Sequence, residues 1–174
     1  HKTSPHVGVI TNIKEDHLNR YHGMDDYARA KEMNVAFQTD GDFAVLNAED
    51  ERVASMGRHA KGRVVWFSPR PLSEPDACFL RAGKGVFRRG GKEKALFSRS
   101  DIRIPGEHNL GNVLAAAVAA HLSGIPAPTI RKVIRSFKGV PGRLEDIALK
   151  KGIRFVNDTT ATAPDACIAA LRTL

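Results

Sequence analysis

Residues 43–68, FAVLNAEDERVASMGRHAKGRVVWFS, contain the pattern that decides the fold. The runs FAVL and VVWF at the two ends are typical of buried strands, and residues 51–60 between them form a short helix-like piece. A strand, a helix and a second strand in this order predict parallel pairing. The segment therefore predicts an α/β fold built on a mostly parallel sheet.

The preceding segment extends the same pattern. Residues 7–13, VGVITNI, predict another buried strand that leads into the polar loop KEDHLNRYHG at 14–23. We expect Asp25 or Asp26 to cap a helix that follows this loop and carries Lys31.

The pattern changes downstream, where short β segments joined by glycine-containing turns occupy residues 77–104. They predict an antiparallel addition to the sheet. Residues 109–125 and 128–140 then predict two helices, each ended by glycine and proline. We expect these helices to flank the sheet and to close the domain.

The segment GVPGR at 139–143 is the expected domain boundary, because glycine and proline interrupt the helical pattern and strands resume after it. We predict the later part of a central domain at 1–140 and the beginning of a second α/β domain, a hairpin and one helix, at 141–174. Such a piece is too small for a complete domain, and the first residue is His1. We therefore expect an internal piece of a longer protein.

Composition limits the class of protein. The 174 residues are 42% hydrophobic, which is enough for a sizeable core. No stretch of about 18 uncharged apolar residues occurs, so membrane insertion is not expected. Cys78 and Cys167 are far apart and lack metal-ligand spacing, which favours packing roles in a reducing, cytoplasmic setting.

The charge of the chain favours anionic partners. Its net charge of +8 can attract nucleic acid, an anionic membrane or a phosphorylated small molecule. Four basic residues flank the glycines of one predicted hairpin: Arg88, Arg89, Lys92 and Lys94. Aromatic residues are not interleaved among them as a base-stacking surface requires, so we predict a solvated face and no nucleic-acid partner.

Three groups of polar residues could carry chemistry, and the first lies at the end of the first predicted strand. It comprises Asn12, Asp16, His17, Tyr27 and Lys31. Open parallel sheets bind ligands at such strand ends, and a neutral imidazole can ligate a divalent cation. Considered alone, a structural histidine and a solvated lysine are the simpler interpretations.

The other two groups lie further along the chain. Asn109 and Asn112, in GEHNLGN, could pair with adenine through adjacent donor and acceptor groups, although Asn109 could equally cap a helix. Arg143 follows the predicted linker, and Asp158 follows the last predicted strand. A solvated arginine and a helix-capping aspartate are the simpler interpretations of that pair.

The joint order of these groups resembles the Mur ligase family. TNIKEDHL and YARAK match the family's TN-hydrophobic-x-x-DHL segment and the YxxAK helix that follows it, and GEHNLGN matches its GxHNxxN segment. The resemblance implies that His17 binds Mg²⁺ and that Lys31 is carbamylated, which turns a cation into an oxygen anion that supports a second Mg²⁺. It also implies that Asn109 and Asn112 lie against the adenine of ATP.

The last group resembles the branch of this family that adds D-glutamate, in which GLPHR and NDSKAT stand where this chain has GVPGR and NDTTAT. This resemblance implies that Arg143 reaches the terminal phosphate of ATP and that Asp158 contacts its ribose. Two positions depart from the pattern. Gly142 replaces a histidine and Thr160 replaces a lysine, which removes a positive charge near the reacting phosphate.

The resemblance implies an ATP- and Mg²⁺-dependent ligase of peptidoglycan synthesis, monomeric, with Lys31, Arg143 and His17 as catalytic residues. Its partners would be a UDP-linked muramoyl substrate, UDP-N-acetylmuramoyl-L-alanine, and D-glutamate. The ligase that adds the third amino acid, folylpolyglutamate synthase and a noncatalytic basic binding module are the alternatives. No GxxxxGK[ST] phosphate loop occurs in the sequence, so we expect this chain alone to be inactive.

Overall fold

Six strands form one mixed sheet in the order of the sequence. The computed structural model describes residues 3–15 and 20–174. The strands are β1 (Val7–Ile10), β2 (Phe43–Asn47), β3 (Arg63–Ser68), β4 (Ala77–Arg81), β5 (Lys84–Arg89) and β6 (Lys92–Ser98). Strands β1 to β4 pair in parallel, and β5 and β6 continue the sheet in antiparallel pairing. The predicted fold class and its antiparallel addition are confirmed.

Helices cover both faces of the parallel strands, as crossover connections require. They are α1 (Met24–Ala36), α2 (Glu51–Met56), α3 (Glu107–Leu122) and α4 (Ala127–Ser136). Alternation along β2 divides the core, because Val45 packs in the same cluster as α3 while Ala44 and Leu46 pack in the cluster that includes residues of α1 and α2. The sheet is thus buried on two sides.

The hairpin of β5 and β6 contains a close contact that only glycine permits. A Cβ atom built on Gly85 would lie 2.3 Å from the Phe97 ring, which is far closer than real Cβ atoms approach. Gly85 and Phe97 are register partners, and the ladder shifts by a bulge beside Gly85. The ring of Phe97, which is fully buried, therefore occupies the space above the glycine.

A buried carboxylate fixes α4 to the end of β6. Asp101 is 3% exposed and accepts hydrogen bonds from the Ser98 amide (2.8 Å) and from Nε of Arg135 (2.6 Å). Nε of Arg131 lies 3.3 Å from Oδ2 of Asp101. Burial raises the pKa of Asp101, but these bonds and charges outweigh burial, so the pKa lies below its usual value.

The last part of the chain forms a separate two-stranded sheet, β7 (Glu145–Lys150) and β8 (Ile153–Asn157), followed by α5 (Pro164–Leu171). The hairpin and the helix lie where the sequence predicts them. Many of its large apolar side chains are exposed by 45–76%: Ile147, Leu149, Ile153, Phe155, Ile168, Leu171 and Leu174.

Several local predictions are wrong. Strand β1 ends at Ile10 instead of continuing to Ile13. Neither Asp25 nor Asp26 caps α1, because the N-cap is Gly23, which has a φ of 124°, and the two aspartates lie inside the first turn. Asp26 instead accepts a hydrogen bond from the His22 amide at 3.2 Å.

The predicted solvated basic face is also wrong in part. The Arg88 side chain is only 19% exposed, donates to the carbonyls of Leu72 and Glu74, and stacks 4.8 Å from the Phe79 ring centroid. Glu93, the cross-strand partner of Arg88, accepts a hydrogen bond from its Nε atom. Arg89, Lys92 and Lys94 are exposed, as predicted.

The two cysteines differ. Cys78 is fully buried, as expected of a packing residue, and burial raises the pKa of its thiol. Cys167 is exposed on α5, so the packing role predicted for it is wrong. Among residues 3–15 and 20–174, no helix is both long and apolar enough to cross a membrane.

Candidate functional site

A cavity of about 560 Å³ opens where the parallel strands end. Its walls come from the segment after β1, the segment after β2, the start of α3, the linker before β7 and the segment after β8. The crevice beyond the carboxyl ends of parallel strands is where open α/β sheets bind ligands. All three predicted residue groups contribute here although they are distant in sequence: Asn12 and Tyr27, Asn109 and Asn112, and Arg143 and Asp158.

Asn109 and Asn112 lie on the first turns of α3 and line the cavity. In the side chain of Asn109, Nδ2 donates to the Pro105 carbonyl at 2.6 Å, and Oδ1 accepts a long bond from Nδ2 of Asn112 at 3.4 Å. The N-cap of α3 is Gly106, so Asn109 does not cap the helix. Asn112 keeps its oxygen and one N–H without a partner among the described residues, which is the donor and acceptor pair that a planar base can bind.

Asp158 connects the end of β8 to the linker. Its Oδ1 atom accepts a hydrogen bond from the Leu144 amide at 3.0 Å, and Leu144 has a left-handed φ of 46°. The N-cap of α5 is Ala163, so Asp158 does not cap that helix. Its second oxygen has no partner within the described ranges, and because Asp158 lines the cavity this oxygen can accept from a hydroxyl group of a ligand.

Arg143 supplies a positive charge to the same wall. Its side chain is exposed, lines the cavity and forms no ion pair with any described residue. A planar guanidinium without an acidic partner is suited to binding a phosphate through two parallel bonds. Asn112, Asp158 and Arg143 thus offer groups for a base, a sugar hydroxyl and a phosphate around one cavity.

Gly142 and Thr160, the two positions that depart from the family pattern, contact each other. The amide and the hydroxyl of Thr160 both donate to the Gly142 carbonyl, at 3.1 and 2.8 Å. The Gly142 amide donates to the Glu145 carboxylate at 2.8 Å. The bonds between Thr160 and Gly142 hold the linker against the segment after β8. Arg143 directly follows Gly142, and Asp158 lies two residues before Thr160.

A carboxylate that lines the cavity, Glu49, is paired with an arginine. Glu49 accepts hydrogen bonds from the Ser68 hydroxyl and from Nε of Arg70, the latter at 2.8 Å. Burial raises the pKa of Glu49, but the bonds from Arg70 and Ser68 prevail, so the pKa lies below its usual value. Glu49 is therefore an anion whose charge is offset by Arg70.

The predicted metal-binding pair is described only in part. Lys31 is exposed on α1, with its Nζ 5.2 Å from the centroid of the Tyr27 ring, and Tyr27 lines the cavity. His17 and Asp16 lie outside the described residues. Residues 3–15 and 20–174 contain no group of three or more His, Cys, Asp or Glu side chains that could hold a metal ion. The roles of His17 and Lys31 stay predictions.

The sequence reasoning missed Asn47, the last residue of β2, and Asp50, the N-cap of α2, which both line the cavity. Asn47 donates to the Thr11 carbonyl at 2.7 Å, and Asp50 accepts from the Ile13 amide at 3.0 Å. A polar run directly after a buried strand, the signal that identified the loop after β1, is present here too as NAED.

Residues 1–120 match the Mur ligase middle domain. The chain belongs to the Mur ligase family. The resemblance predicted from TNIKEDHL, YARAK and GEHNLGN is confirmed. The similar curated proteins include UDP-N-acetylmuramoylalanine–D-glutamate ligases of Symbiobacterium thermophilum, 40% identical over 174 residues, and of Pelotomaculum thermopropionicum, 40% identical over 167 residues.

These Mur ligases are longer than the chain. The alignments cover 98% and 96% of this chain but only 38% and 36% of the two relatives. Among solved structures, MurF from Acinetobacter baumannii has a TM-score of 0.75 and 26% identity, with 98% of this chain and 37% of that one covered. The likeness thus spans both the six-stranded sheet and the final hairpin and helix.

Proposed function

We propose that this chain contributes the ATP-binding wall of an amide ligase that adds D-glutamate to UDP-N-acetylmuramoyl-L-alanine. The observation that carries the proposal is the cavity at the strand ends, where Asn112, Asp158 and Arg143 meet. Membership of the Mur ligase family and the named function of the 40% identical relatives support it. We also propose that the central domain ends at about residue 140 and that the C-terminal ligase domain begins there.

Four side chains have a part in holding the nucleotide. Asn112 would pair with adenine, Asn109 would hold the Asn112 amide in place, and Asp158 would accept from a ribose hydroxyl. The cation of Arg143 would bind the terminal phosphate and offset the charge that develops during its transfer. The donor set of the described residues therefore fits a nucleoside triphosphate.

The proposed chemistry has two steps. The carboxylate of the muramoyl substrate attacks the γ-phosphorus of ATP, and ADP leaves with the bridging oxygen. The amine of D-glutamate then attacks the carbonyl carbon of the acyl phosphate, phosphate leaves, and the amine loses a proton. Both steps need the reacting groups held in line, which is mainly positioning and electrostatics.

His17 and Lys31 remain the proposed metal-holding residues. The carbamate of Lys31 would form when CO₂ joins its neutral amine and a proton is released. Bound Mg²⁺ would supply positive charge to the phosphates. A ¹³C spectrum of the protein under ¹³CO₂ should show a carbamate signal that Lys31→Ala removes and Lys61→Ala keeps. A signal that persists in Lys31→Ala would refute the assignment.

The function is tested on the complete reading frame that contains the chain. We expect ADP and a ligated product from UDP-N-acetylmuramoyl-L-alanine with D-glutamate and little product with L-glutamate. Product only from the acceptor that already carries D-glutamate would identify the ligase of the third amino acid. Salt-dependent binding of nucleic acid without an effect of ATP would instead support a noncatalytic basic module.

The nucleotide assignment has its own test. Asn112→Asp replaces the N–H donor with an oxygen, so we expect the KM for ATP to rise about tenfold, the effect of losing one good hydrogen bond. Asp40→Asn is the control, because Asp40 is exposed and does not line the cavity. An unchanged KM in Asn112→Asp would remove Asn112 from the adenine site. We expect the 174 residues alone to lack ligase activity.

A further inference from the structure

Three side chains from other elements hold the chain where it leaves β1. Nδ2 of Asn34 on α1 donates to the Val9 carbonyl at 3.0 Å, and Nδ2 of Asn47 donates to the Thr11 carbonyl at 2.7 Å. Oδ2 of Asp50 accepts from the Ile13 amide at 3.0 Å. The bonds fall on residues 9, 11 and 13, which span the end of β1 and the segment that follows it.

Two of these bonds replace the sheet ladder after it ends. The pairing of β1 with β2 begins at the Val7 and Phe43 partners and ends at the Ile10 and Leu46 partners. Beyond that point the Thr11 carbonyl and the Ile13 amide would lack a backbone partner, and Asn47 and Asp50 satisfy them. The side chain of Ile13 is 4% exposed and packs in the same core cluster as Leu46 and Val53, which adds an apolar contact to these bonds.

Asn47 and Asp50 each form hydrogen bonds through both polar atoms of the side chain. Oδ1 of Asn47 accepts from the Glu49 amide at 2.9 Å while its nitrogen binds Thr11. Oδ1 of Asp50 accepts from the Val53 amide at 3.0 Å and thereby caps α2, while its second oxygen binds Ile13. The end of β2, the start of α2 and the segment after β1 are thus joined through two residues.

The segment that they hold forms part of the cavity wall. Thr11, Asn12, Lys14 and Glu15 all line the cavity. From this geometry we infer that Asn47 and Asp50 are positioning residues, which act by fixing residues 11–15 at the cavity and not by direct contact with substrate. The inference rests on the proposed function only in that the cavity is the site of the ligase reaction.

Isosteric substitutions test the hydrogen bonds of these residues without a change in side-chain volume. Asn47→Asp keeps an acceptor for the Glu49 amide but sets a carboxylate oxygen against the Thr11 carbonyl. The matched control is Gln38→Glu. Gln38 is 1% exposed and donates to the Pro5 and Phe43 carbonyls, so the same exchange breaks similar bonds at the opposite end of β1 and β2.

The first measurement is amide hydrogen exchange in the complete reading frame. Asn47→Asp removes no bond to the Ile13 amide, so faster exchange there reports movement of the whole segment. We expect Ile13 to exchange at least about tenfold faster in Asn47→Asp, as the loss of one buried hydrogen bond predicts, and at the parental rate in Gln38→Glu. Parental exchange at Ile13 in Asn47→Asp would overturn the inference.

The second measurement separates positioning from stability. We expect kcat to fall at least about tenfold in Asn47→Asp while the KM for ATP changes less than about twofold, because the adenine-binding residues lie on α3. An equal fall of kcat in Gln38→Glu would attribute the effect to stability and overturn the inference. If the parent protein shows no ligase activity, the proposed function fails, while the exchange result still decides whether Asn47 holds the segment.

Discussion

The six-stranded sheet and the final hairpin belong to one chain but are held together by different forces. In the sheet, Phe67, Phe79 and Phe97 are almost completely buried. In residues 145–174 the buried apolar side chain is Ala170, while Leu149 and Leu171 are 76% and 68% exposed. The first region is stabilised by its own core, and the second is bonded to the linker that precedes it through the Gly142 carbonyl and the Asp158 carboxylate. The cavity therefore has one wall backed by a packed core and one wall in which hydrogen bonds hold the linker to the segment after β8.

Truncating a phenylalanine in each region should give the largest difference. Phe79→Ala is expected to lower the free energy of unfolding by about 3–5 kcal/mol, because it removes a fully buried ring and leaves a cavity. Phe155, 48% exposed, should cost about 1 kcal/mol or less on the same change. Urea titrations with equal slopes would measure both, and equal losses would show that the hairpin has a core of its own.

The two regions also offer a pair of carboxylates with arginine partners. Asp101 is buried, so Asp101→Asn should cost about 2 kcal/mol, the range for hydrogen bonds to charged groups. Asp146 pairs with Arg154 in solvent, and Asp146→Asn should cost less than Asp101→Asn does.

The cost at Asp101 should depend on pH. The pKa of Asp101 in the folded chain is below its usual value, so its stabilisation is full above the unfolded pKa of about 3.9 and is lost as pH falls through the lower folded pKa. Unfolding titrations from pH 6 downwards should show the parent approaching Asp101→Asn only below about pH 4. A constant difference at every pH would contradict the ion pairs.

The contact between the linker and the segment after β8 can be loosened by one methyl group. A Cβ on Gly142 would lie 3.1 Å from Cγ2 of Thr160, and Gly142 has a φ of 76°. Gly142→Ala should therefore cost about 1–2 kcal/mol, the range for a left-handed conformation at a residue with a Cβ. Gly41→Ala is the control, because its Cβ would meet nothing closer than 3.8 Å. In the complete reading frame, Gly142→Ala should also raise the KM for ATP.

The smallest effect concerns the two thiols and leaves stability unchanged. Cys167 is exposed and should react with a thiol reagent in the folded chain, while Cys78, buried and with a raised pKa, should react only on unfolding. Mass spectrometry after brief labelling with iodoacetamide would count the modified cysteines. Labelling of Cys78 at the rate of Cys167 would mean that the sheet does not protect Cys78 from the reagent.

The sequence predicted what depends on local pattern. Apolar runs located β2 and β3, and glycine turns located the hairpins of β4 to β6. The alanine-rich run located α3.

What depends on contacts between distant residues could not be predicted. The bonds of Asn47 to Thr11 and of Asp50 to Ile13 join residues 36 and 37 positions apart, and their partners are backbone atoms, which leave no residue signature. The capping errors at Asp25 and Asn109 have another origin. Glycines with positive φ, Gly23 and Gly106, begin those helices, and composition does not reveal φ. Asn112 and Asp158 were found as motifs, and only the fold brings them to one cavity.

The contact between Gly85 and the Phe97 ring constrains the order in which this sequence can change over time. A first substitution at Gly85 would meet the ring and be removed by selection, whereas a smaller residue at 97 would open a void that a side chain at 85 could later fill. The two positions are therefore expected to vary together among descendants of this gene, with position 97 changing first. Any alignment of its future variants can be examined for that order.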